Sequence, residues 1–132
     1  MKQIVMQGPR KSRVVEVPMP EFTDDQLLVK VTYTGMCHSE WYPWSIAKEG
    51  EIFGHEAVGV VAEAGKNVQG FKPGDRVTGL GGGGYKEYIV MDPVKTCHVP
   101  DNLKDEDAIV EPLACLLSCA VKMMPVTPGD PI

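Results

Sequence analysis

The chain has 132 residues, of which 43% are hydrophobic, and this length is enough for one compact domain with its own core. Lysine and arginine number 13 against 18 aspartates and glutamates, which gives a formal net charge of −5 at pH 7. An acidic chain has no surplus of cations to neutralise phosphates. The composition therefore argues against nucleic acid as a partner.

The sequence contains no pattern typical of a membrane span or a secretory signal. The most apolar stretch, residues 108–121, is interrupted by Glu111 and is shorter than the roughly 20 apolar residues that a bilayer requires. Residues 1–9 contain only three consecutive apolar side chains, too few for the core of a signal peptide. We therefore expect a cytoplasmic protein that does not contact a membrane, with its four cysteines reduced.

The first 91 residues follow a pattern of short strands separated by turns. Leu27, Val29, Val31 and Tyr33 alternate with polar residues, which predicts a strand over residues 27–34 with one buried face. Turns rich in glycine and proline separate further predicted strands at residues 3–7, 14–17, 57–64, 75–78 and 86–91. Short strands at this spacing favour a β-barrel or a β-sandwich.

The pattern becomes helical after Leu103. Three carboxylates at residues 105–107 suit the positive end of a helix dipole, and Pro112 suits the first turn of a second helix. We expect a short helix, a break at Glu111 and a longer helix that ends near Met124. Three prolines after it predict an exit segment, so we divide the chain into a domain over residues 1–124 and a linker over residues 125–132.

Polar side chains able to bind a metal lie beside two predicted strands. Cys37 follows the strand over residues 27–34, while His55 and Glu56 come directly before the strand over residues 57–64. A thiolate, an imidazole and a carboxylate are ligands that zinc accepts in catalytic sites. Paired ligands in zinc fingers lie ~2–4 residues apart, so this spacing disfavours a closed structural site. A single cysteine or histidine in a domain of this size is more often a core or surface residue than a metal ligand.

Four motifs together resemble the zinc-dependent medium-chain dehydrogenases. They are Gly-Met-Cys-His-Ser-Glu at 35–40, Gly-His-Glu at 54–56, Gly-Asp-Arg-Val at 74–77 and Glu-Pro-Leu-Ala at 111–114. The last motif is similar to the branch of sorbitol and threonine dehydrogenases. The resemblance implies a mainly β fold, a GroES-like β-barrel with a few short helices and a C-terminal helix. In that family a Rossmann domain that binds NAD or NADP follows this region.

The resemblance also assigns roles by position. It implies four ligands of one catalytic zinc ion: Cys37, His55, Glu56 and Glu111. In the family, the residue at Glu56 binds the metal directly or moves aside when substrate or water enters, and the residue at Glu111 binds directly or through water. Ser39 matches a hydroxyl that relays a proton from the zinc-bound alcohol. His38 matches a position that contacts either this relay or the cofactor phosphate. The implied catalytic residues are these two together with Cys37, His55 and Glu56.

Two features next to these motifs have alternative interpretations. We expect Glu40 to accept the free N–H of His55, because zinc-bound imidazoles usually have such a partner; the alternative is a solvated acid. Trp41, Tyr42 and Trp44 match in position a family segment beside the substrate pocket, but they could equally pack in the core.

The sequence departs from the family pattern at residues 78–85. Many relatives carry a lobe with four closely spaced cysteines at this point, whereas this chain has a glycine-rich stretch that we expect to form a flexible hairpin. Gly79, Gly81 and Gly84 fit the pattern G-x-G-x-x-G, which in dinucleotide-binding proteins opens a helix. A strand is predicted next here, so we do not expect dinucleotide binding at this stretch.

The remaining cysteines have no counterpart among the four motifs. Cys115 and Cys119 lie four residues apart on a predicted helix, and we expect them to pack in the core as small apolar groups. The alternative is a second metal shared with Cys97 and His98.

The resemblance therefore implies the catalytic-domain fragment of a zinc-dependent alcohol or polyol dehydrogenase. Such an enzyme oxidises a secondary alcohol by hydride transfer to NAD or NADP. The 132 residues lack a predicted Rossmann domain, so we expect the chain alone to be inactive. The alternatives are a non-catalytic GroES-like binding module and a zinc-free domain similar to the quinone reductases. The expected partner is a small alcohol or polyol, and a homo-oligomer is compatible with the resemblance.

Overall fold

The computed structural model describes residues 1–123, which form strands, two α-helices and three 3-10 turns. The strands are β1 (Lys2–Gly8), β2 (Lys11–Glu16), β3 (Leu27–Thr34), β4 (Ala57–Ala64), β5 (Arg76–Gly79), β6 (Tyr88–Met91) and β7 (Thr96–His98). The helices are α1 (Trp41–Ile46) and α2 (Glu111–Met123), and the 3-10 turns are His38–Glu40, Pro93–Lys95 and Asp105–Asp107. The linker expected at 125–132 lies outside the described residues, as does the expected helix end at Met124.

The strands form two antiparallel sheets. β1 and β2 pair with each other, and the other five lie in the order β6-β3-β4-β5-β7. A single bridge between Gln3 and Lys86 connects the hairpin to the larger sheet. The sheets of residues 1–123 do not close into one continuous ladder. The mainly β fold expected from the sequence is confirmed, with open sheets and no parallel βαβ unit in the described part of the chain.

The central strands β3 and β4 supply much of the core. The main cluster consists of Leu27, Val29, Ala57, Val61, Val77, Ile89 and Met91. A smaller cluster forms around Val58, Val99 and Ala108. Successive residues of a strand point to opposite faces, so Ala57 and Val58 place these two clusters on opposite sides of β4. The sheet is therefore buried on both faces near the start of β4.

The pairing of β3 with β4 is irregular at two places. Its register with β4 shifts between Leu28 and Val29, and again between Val31 and Tyr33. A bulge changes the direction of the residues that follow it and is common beside functional sites. Tyr33, which the alternation predicts on the buried face, is 48% exposed. The buried face predicted for this strand is therefore confirmed at Leu27 and Val29 and wrong at Tyr33.

The glycine-rich stretch is not a hairpin. The strands on either side of it do not pair, because β5 lies between β4 and β7 whereas β6 lies at the edge beside β3. The chain at 80–87 instead crosses between these strands, and the Gly84 N–H donates to the Gly54 carbonyl at 2.9 Å. The expected hairpin is therefore wrong. A strand, β6, follows the stretch, as the sequence predicts.

The helix α2 packs no side chain into the core. Its large apolar residues are exposed: Leu113, Leu116, Leu117, Val121 and Met123. Cys115 and Cys119 are also exposed, so the expectation that they pack in the core is wrong. The physical reason is that no apolar surface within residues 1–123 covers this helix. No helix in this part of the chain has the length and apolarity needed to span a bilayer.

An ion pair attaches the segment before α2 to the sheet. Arg76 of β5 donates from Nε to Asp105 Oδ1 at 2.8 Å and from Nη2 to the Leu103 carbonyl at 2.6 Å. Thr32 of β3 donates its hydroxyl to Asp105 Oδ2 at 2.6 Å. The Thr32 hydroxyl and the Arg76 guanidinium hold the pKa of Asp105 below its usual range. This contact holds the chain that leads to Glu111 against β3 and β5.

The variant Asp105→Asn is expected to lower the free energy of unfolding by about 1–2 kcal/mol near neutral pH, because charge-assisted hydrogen bonds of a half-buried carboxylate are lost. Folding lowers the pKa of Asp105. The wild-type protein is therefore more stable than the variant at pH values above the ordinary pKa of aspartate, and this difference in unfolding free energy disappears as the pH falls through the folded pKa. Urea unfolding at neutral and strongly acidic pH measures both values. The exposed Asp101→Asn is the control, and an equal loss at both pH values would contradict the prediction.

Candidate metal centre

The pairing of β3 with β4 brings two distant parts of the sequence together. Thr34 at the end of β3 pairs with Ala57 at the start of β4. The backbone continues the contact, because the Gly35 N–H donates to the Glu56 carbonyl oxygen at 2.8 Å. In an antiparallel pair, the chain that leaves one strand lies beside the chain that enters the other. The residues after β3 and before β4 are therefore neighbours in space.

Three predicted metal ligands form one cluster at this place. Cys37, His55 and Glu56 each offer one ligand atom, and these atoms lie within 4.8 Å of one another. Glu56 is buried, whereas Cys37 and His55 are half-buried. A thiolate, an imidazole and a carboxylate are donors that catalytic zinc accepts, and three protein ligands leave a further position open. Residues 1–123 contain no second cluster of this kind.

Glycine at position 35 makes room for the buried carboxylate. A Cβ atom at this position would overlap Glu56 Oε2 and would lie 3.1 Å from the Glu56 Cβ. Any larger residue would therefore have to displace the Glu56 side chain or the backbone. The motif glycine before Cys37 has a steric role at the cluster that the sequence alone does not reveal.

Glu40 orients the histidine of the cluster. Its Oε1 accepts hydrogen bonds from the Gly54 N–H at 2.7 Å and from His55 Nδ1 at 2.9 Å. Its Oε2 accepts a hydrogen bond from the Tyr85 hydroxyl at 2.6 Å. Because Nδ1 of His55 is hydrogen-bonded to Glu40, the other ring nitrogen, Nε2, is available to bind a metal. The expected contact between Glu40 and His55 is confirmed, and the alternative of a solvated acid is wrong.

Tyr85 is a site residue that the sequence analysis missed. Burial, followed by the hydrogen bond to Glu40, raises the pKa of Tyr85 well above its usual range, so its hydroxyl remains a donor. Gly54, with φ of +96°, allows the approach: a Cβ there would lie 2.7 Å from the Tyr85 nitrogen and 2.8 Å from the Gly84 nitrogen. In the sequence, Tyr85 is a tyrosine directly after a glycine run, and this pattern predicts a loop residue but not a contact with Glu40.

Ser39 and His38 lie at the solvent side of the cluster. Both belong to the 3-10 turn His38–Glu40, and both side chains are exposed. The Ser39 hydroxyl donates to Cys37 Sγ at 3.2 Å. An exposed hydroxyl that touches a ligand atom is suited to exchange a proton with water. The roles of these two residues in proton transfer or cofactor binding stay predictions.

Glu111 lies outside the three-residue cluster. It is the first residue of α2, and its Oε1 accepts a hydrogen bond from the Cys115 thiol at 2.9 Å. This hydrogen bond is the largest cause of a raised pKa of Cys115, to which the charge of Cys37 also contributes. Cys115 is thus held as a thiol and not as a thiolate. The role of Glu111 as a zinc ligand stays a prediction.

Cys97 and His98 have structural contacts of their own. His98 Nε2 lies 2.9 Å from the Gly70 carbonyl oxygen, and the imidazole stacks on Phe71 with ring centroids 4.7 Å apart. Cys97 Sγ lies 3.6 Å from the Thr78 carbonyl oxygen. Neither residue belongs to a metal-binding cluster of residues 1–123. The described chain therefore gives no support to a second metal at this position.

A cavity of about 550 Å³ lies beside Cys37. Thirteen residues line it: Ile4, Met6, Ser12, Thr34, Met36, Cys37, His38, Glu40, Trp41, Trp44, Glu51, Phe53 and Tyr85. Trp41 and Trp44 face each other with ring centroids 5.4 Å apart. Trp41 and Tyr42 are 61% and 69% exposed, so the core interpretation is wrong for both. The two tryptophans instead form part of the cavity wall.

Comparisons with known proteins agree with this fold. Residues 23–101 match the family model of the alcohol dehydrogenase GroES-like domain. The chain is 32% identical over 120 residues to a trans-enoyl reductase from Aspergillus sclerotiorum, which covers 82% of this chain and 34% of that protein. It is 27% identical over 169 aligned residues to a sorbitol dehydrogenase from Bacillus subtilis, which covers 100% of this chain and 48% of that protein.

Solved structures show the same architecture. A quinone oxidoreductase from Coxiella burnetii superposes with a TM-score of 0.80 at 25% identity, covering 98% of this chain and 47% of that one. The chain therefore spans half or less of the length of these relatives, which are named as a trans-enoyl reductase, a sorbitol dehydrogenase and a quinone oxidoreductase. The family match alone covers more than half of the chain. The chain belongs to the alcohol dehydrogenase GroES-like domain family.

Proposed function

We propose that this chain is the zinc-binding catalytic domain of an alcohol or polyol dehydrogenase, and that the whole protein oxidises a secondary alcohol by hydride transfer to NAD or NADP. The observation that supports this proposal is the cluster of Cys37, His55 and Glu56, whose ligand atoms lie within 4.8 Å of one another. When bound there, zinc would supply Lewis-acid chemistry that lowers the pKa of the substrate hydroxyl.

The residues of the cluster fit a zinc ion chemically. They provide one sulfur, one nitrogen and one oxygen donor, a combination that catalytic zinc sites use. Glu40 holds His55 with Nε2 free, and Gly35 leaves space for the Glu56 carboxylate. Cys37 also lines the cavity, so the open side of the cluster is accessible to a small molecule. A binding module that used the fold only as a scaffold would need none of these features.

Ser39 and His38 would carry the proton that the reaction releases. Alcohol oxidation breaks one C–H and one O–H bond: the hydride takes both electrons to the nicotinamide ring, and the hydroxyl proton goes to solvent. Ser39 contacts Cys37 and is exposed, so its hydroxyl connects the cluster to water. His38, also exposed and at the edge of the cavity, would extend this path or contact a cofactor phosphate.

We place the nicotinamide site in a Rossmann domain outside these 132 residues. The chain covers 48% of the sorbitol dehydrogenase from Bacillus subtilis, which leaves room for such a domain in the whole protein. We therefore expect no turnover by this chain alone with NAD or NADP.

A zinc-free reductase is the second candidate. The likeness to a quinone oxidoreductase and to a trans-enoyl reductase favours it. In that case Cys37, His55 and Glu56 would hold no metal, and the cavity would bind an unsaturated substrate. Metal content separates the two candidates, because only the dehydrogenase needs zinc at this cluster.

Protein purified without chelators is expected to contain about one zinc ion per chain. Cys37→Ser and His55→Ala should each lose most of it, because each removes one of three protein ligands. Cys97→Ser is the matched control, since its thiol lies outside the cluster. Elemental analysis measures the zinc, and the thiolate absorption band of cobalt-substituted protein should vanish with Cys37→Ser. If both ligand variants retain the wild-type zinc content, the dehydrogenase proposal fails and the reductase is favoured.

Gly35→Ala is expected to weaken zinc binding about tenfold or more, because the added methyl group displaces the Glu56 carboxylate. Competition with a chromophoric chelator measures the affinity. Gly81→Ala is the control, since a Cβ there meets no atom within 4 Å. Glu56→Gln, which adds no bulk, should give a similar loss. Unchanged affinity in both Gly35→Ala and Glu56→Gln would exclude Glu56 as a ligand.

A further inference from the structure

We propose that the cavity beside Cys37 selects an uncharged alcohol with a bulky apolar or aromatic substituent, in preference to a sugar alcohol or a phosphate ester. This inference deepens the proposed function and rests on it for the position of the reacting hydroxyl. The selectivity itself follows from the residues that line the cavity.

The cavity wall is mainly apolar. Six large apolar side chains line it: Ile4, Met6, Met36, Trp41, Trp44 and Phe53. The volume of about 550 Å³ lies within the range of about 300–1,000 Å³ that small-molecule pockets occupy. The rings of Trp41 and Trp44 are tilted by 42° to each other. Such a wall offers aromatic faces and edges to a ring of the substrate.

Three of the four carboxylate oxygens in the cavity lining accept hydrogen bonds from the protein. Both oxygens of Glu40 accept hydrogen bonds, from Gly54, His55 and Tyr85. Glu51 Oε2 accepts a hydrogen bond from the Lys48 N–H at 3.1 Å. A substrate hydroxyl would have to compete with these existing donors.

The hydroxyl groups of the cavity are too few for a polyol. Ser12 and Thr34 are the lining residues that carry an aliphatic hydroxyl. A sugar alcohol has a hydroxyl on every carbon, and each one that leaves water without a new partner weakens binding. An apolar alcohol has a single hydroxyl, which would bind at the zinc position proposed beside Cys37, His55 and Glu56. The wall therefore disfavours the polyol.

The charge of the cavity disfavours a phosphate ester. The lining residues include the carboxylates Glu40 and Glu51, and no lysine or arginine of residues 1–123 is among them. Phosphate recognition commonly uses arginine or lysine, whose positive charge balances the anion. An anionic substrate would instead meet two negative groups. A neutral substrate avoids this repulsion.

The fluorescence of Trp41 and Trp44 tests the proposal, because they are the two tryptophans of the chain and both line the cavity. The zinc-loaded and the metal-free chain are titrated with 1-phenylethanol, sorbitol and sorbitol 6-phosphate. We expect 1-phenylethanol to change the emission with a dissociation constant at least about tenfold below that of sorbitol. The phosphate ester should give no change. Equal or tighter binding of sorbitol or its phosphate would overturn the proposal, as would no response to 1-phenylethanol.

Variants of α1 assign the effect to the cavity. Trp44→Ala should weaken 1-phenylethanol binding about tenfold, read from the emission of Trp41, whereas Trp44→Phe should retain most of it. Tyr42→Ala is the matched control, because Tyr42 is exposed on the same helix and does not line the cavity. A loss in Tyr42→Ala equal to that in Trp44→Ala would contradict the assignment. Zinc content is measured in parallel: preference for 1-phenylethanol by a chain that binds no zinc would support the cavity selectivity and refute the zinc-dependent function.

Discussion

Thr34 and Ala57 pair across β3 and β4, and this pairing determines where Cys37, His55 and Glu56 lie. The register is held by the core on the same strands, since a shift of one residue along β3 would turn Leu27 and Val29 away from the main cluster and the exposed Lys30 toward it. The cluster therefore takes its geometry from the hydrophobic core. The side chains of the cluster lie on loops, but the pairing of the strand ends determines which of these side chains are neighbours in space.

Glu40 connects the cluster to three segments of the chain. It bonds to Gly54 and His55 in the loop before β4 and to Tyr85 after the glycine-rich stretch. The helix α1, which carries Trp41, begins directly after Glu40. The carboxylate that orients the imidazole thus also fixes the start of the cavity wall. Glu40 therefore links the geometry of the cluster to that of the cavity wall.

The features that depend on local patterns could be predicted from the sequence. The bounds of β3 and β4 follow from their alternation and apolar runs, and the motifs beside them indicate the cluster at Cys37. The features that depend on tertiary contact could not be predicted. Tyr85 reaches Glu40 only because Gly54 permits a close backbone approach. The strand β5 pairs with β4 and with the three-residue strand β7, which is too short to show a period, so the sequence does not reveal that β5 and β6 lie apart and the expected hairpin is wrong.

The cluster and most of the apolar cavity wall come from different parts of the fold, although Cys37 belongs to both the cluster and the lining. The cluster residues lie next to the ends of the two central strands, whereas β1 and α1 supply four of the six large apolar side chains of the wall: Ile4, Met6, Trp41 and Trp44. In the proposed enzyme, changes in the apolar wall would therefore alter substrate binding without disturbing the cluster. Similarity to a sorbitol dehydrogenase reflects the shared scaffold, and a scaffold does not determine the substrate. In the proposed enzyme, the pair Trp41 and Trp44, and not the family fold, would determine the substrate preference.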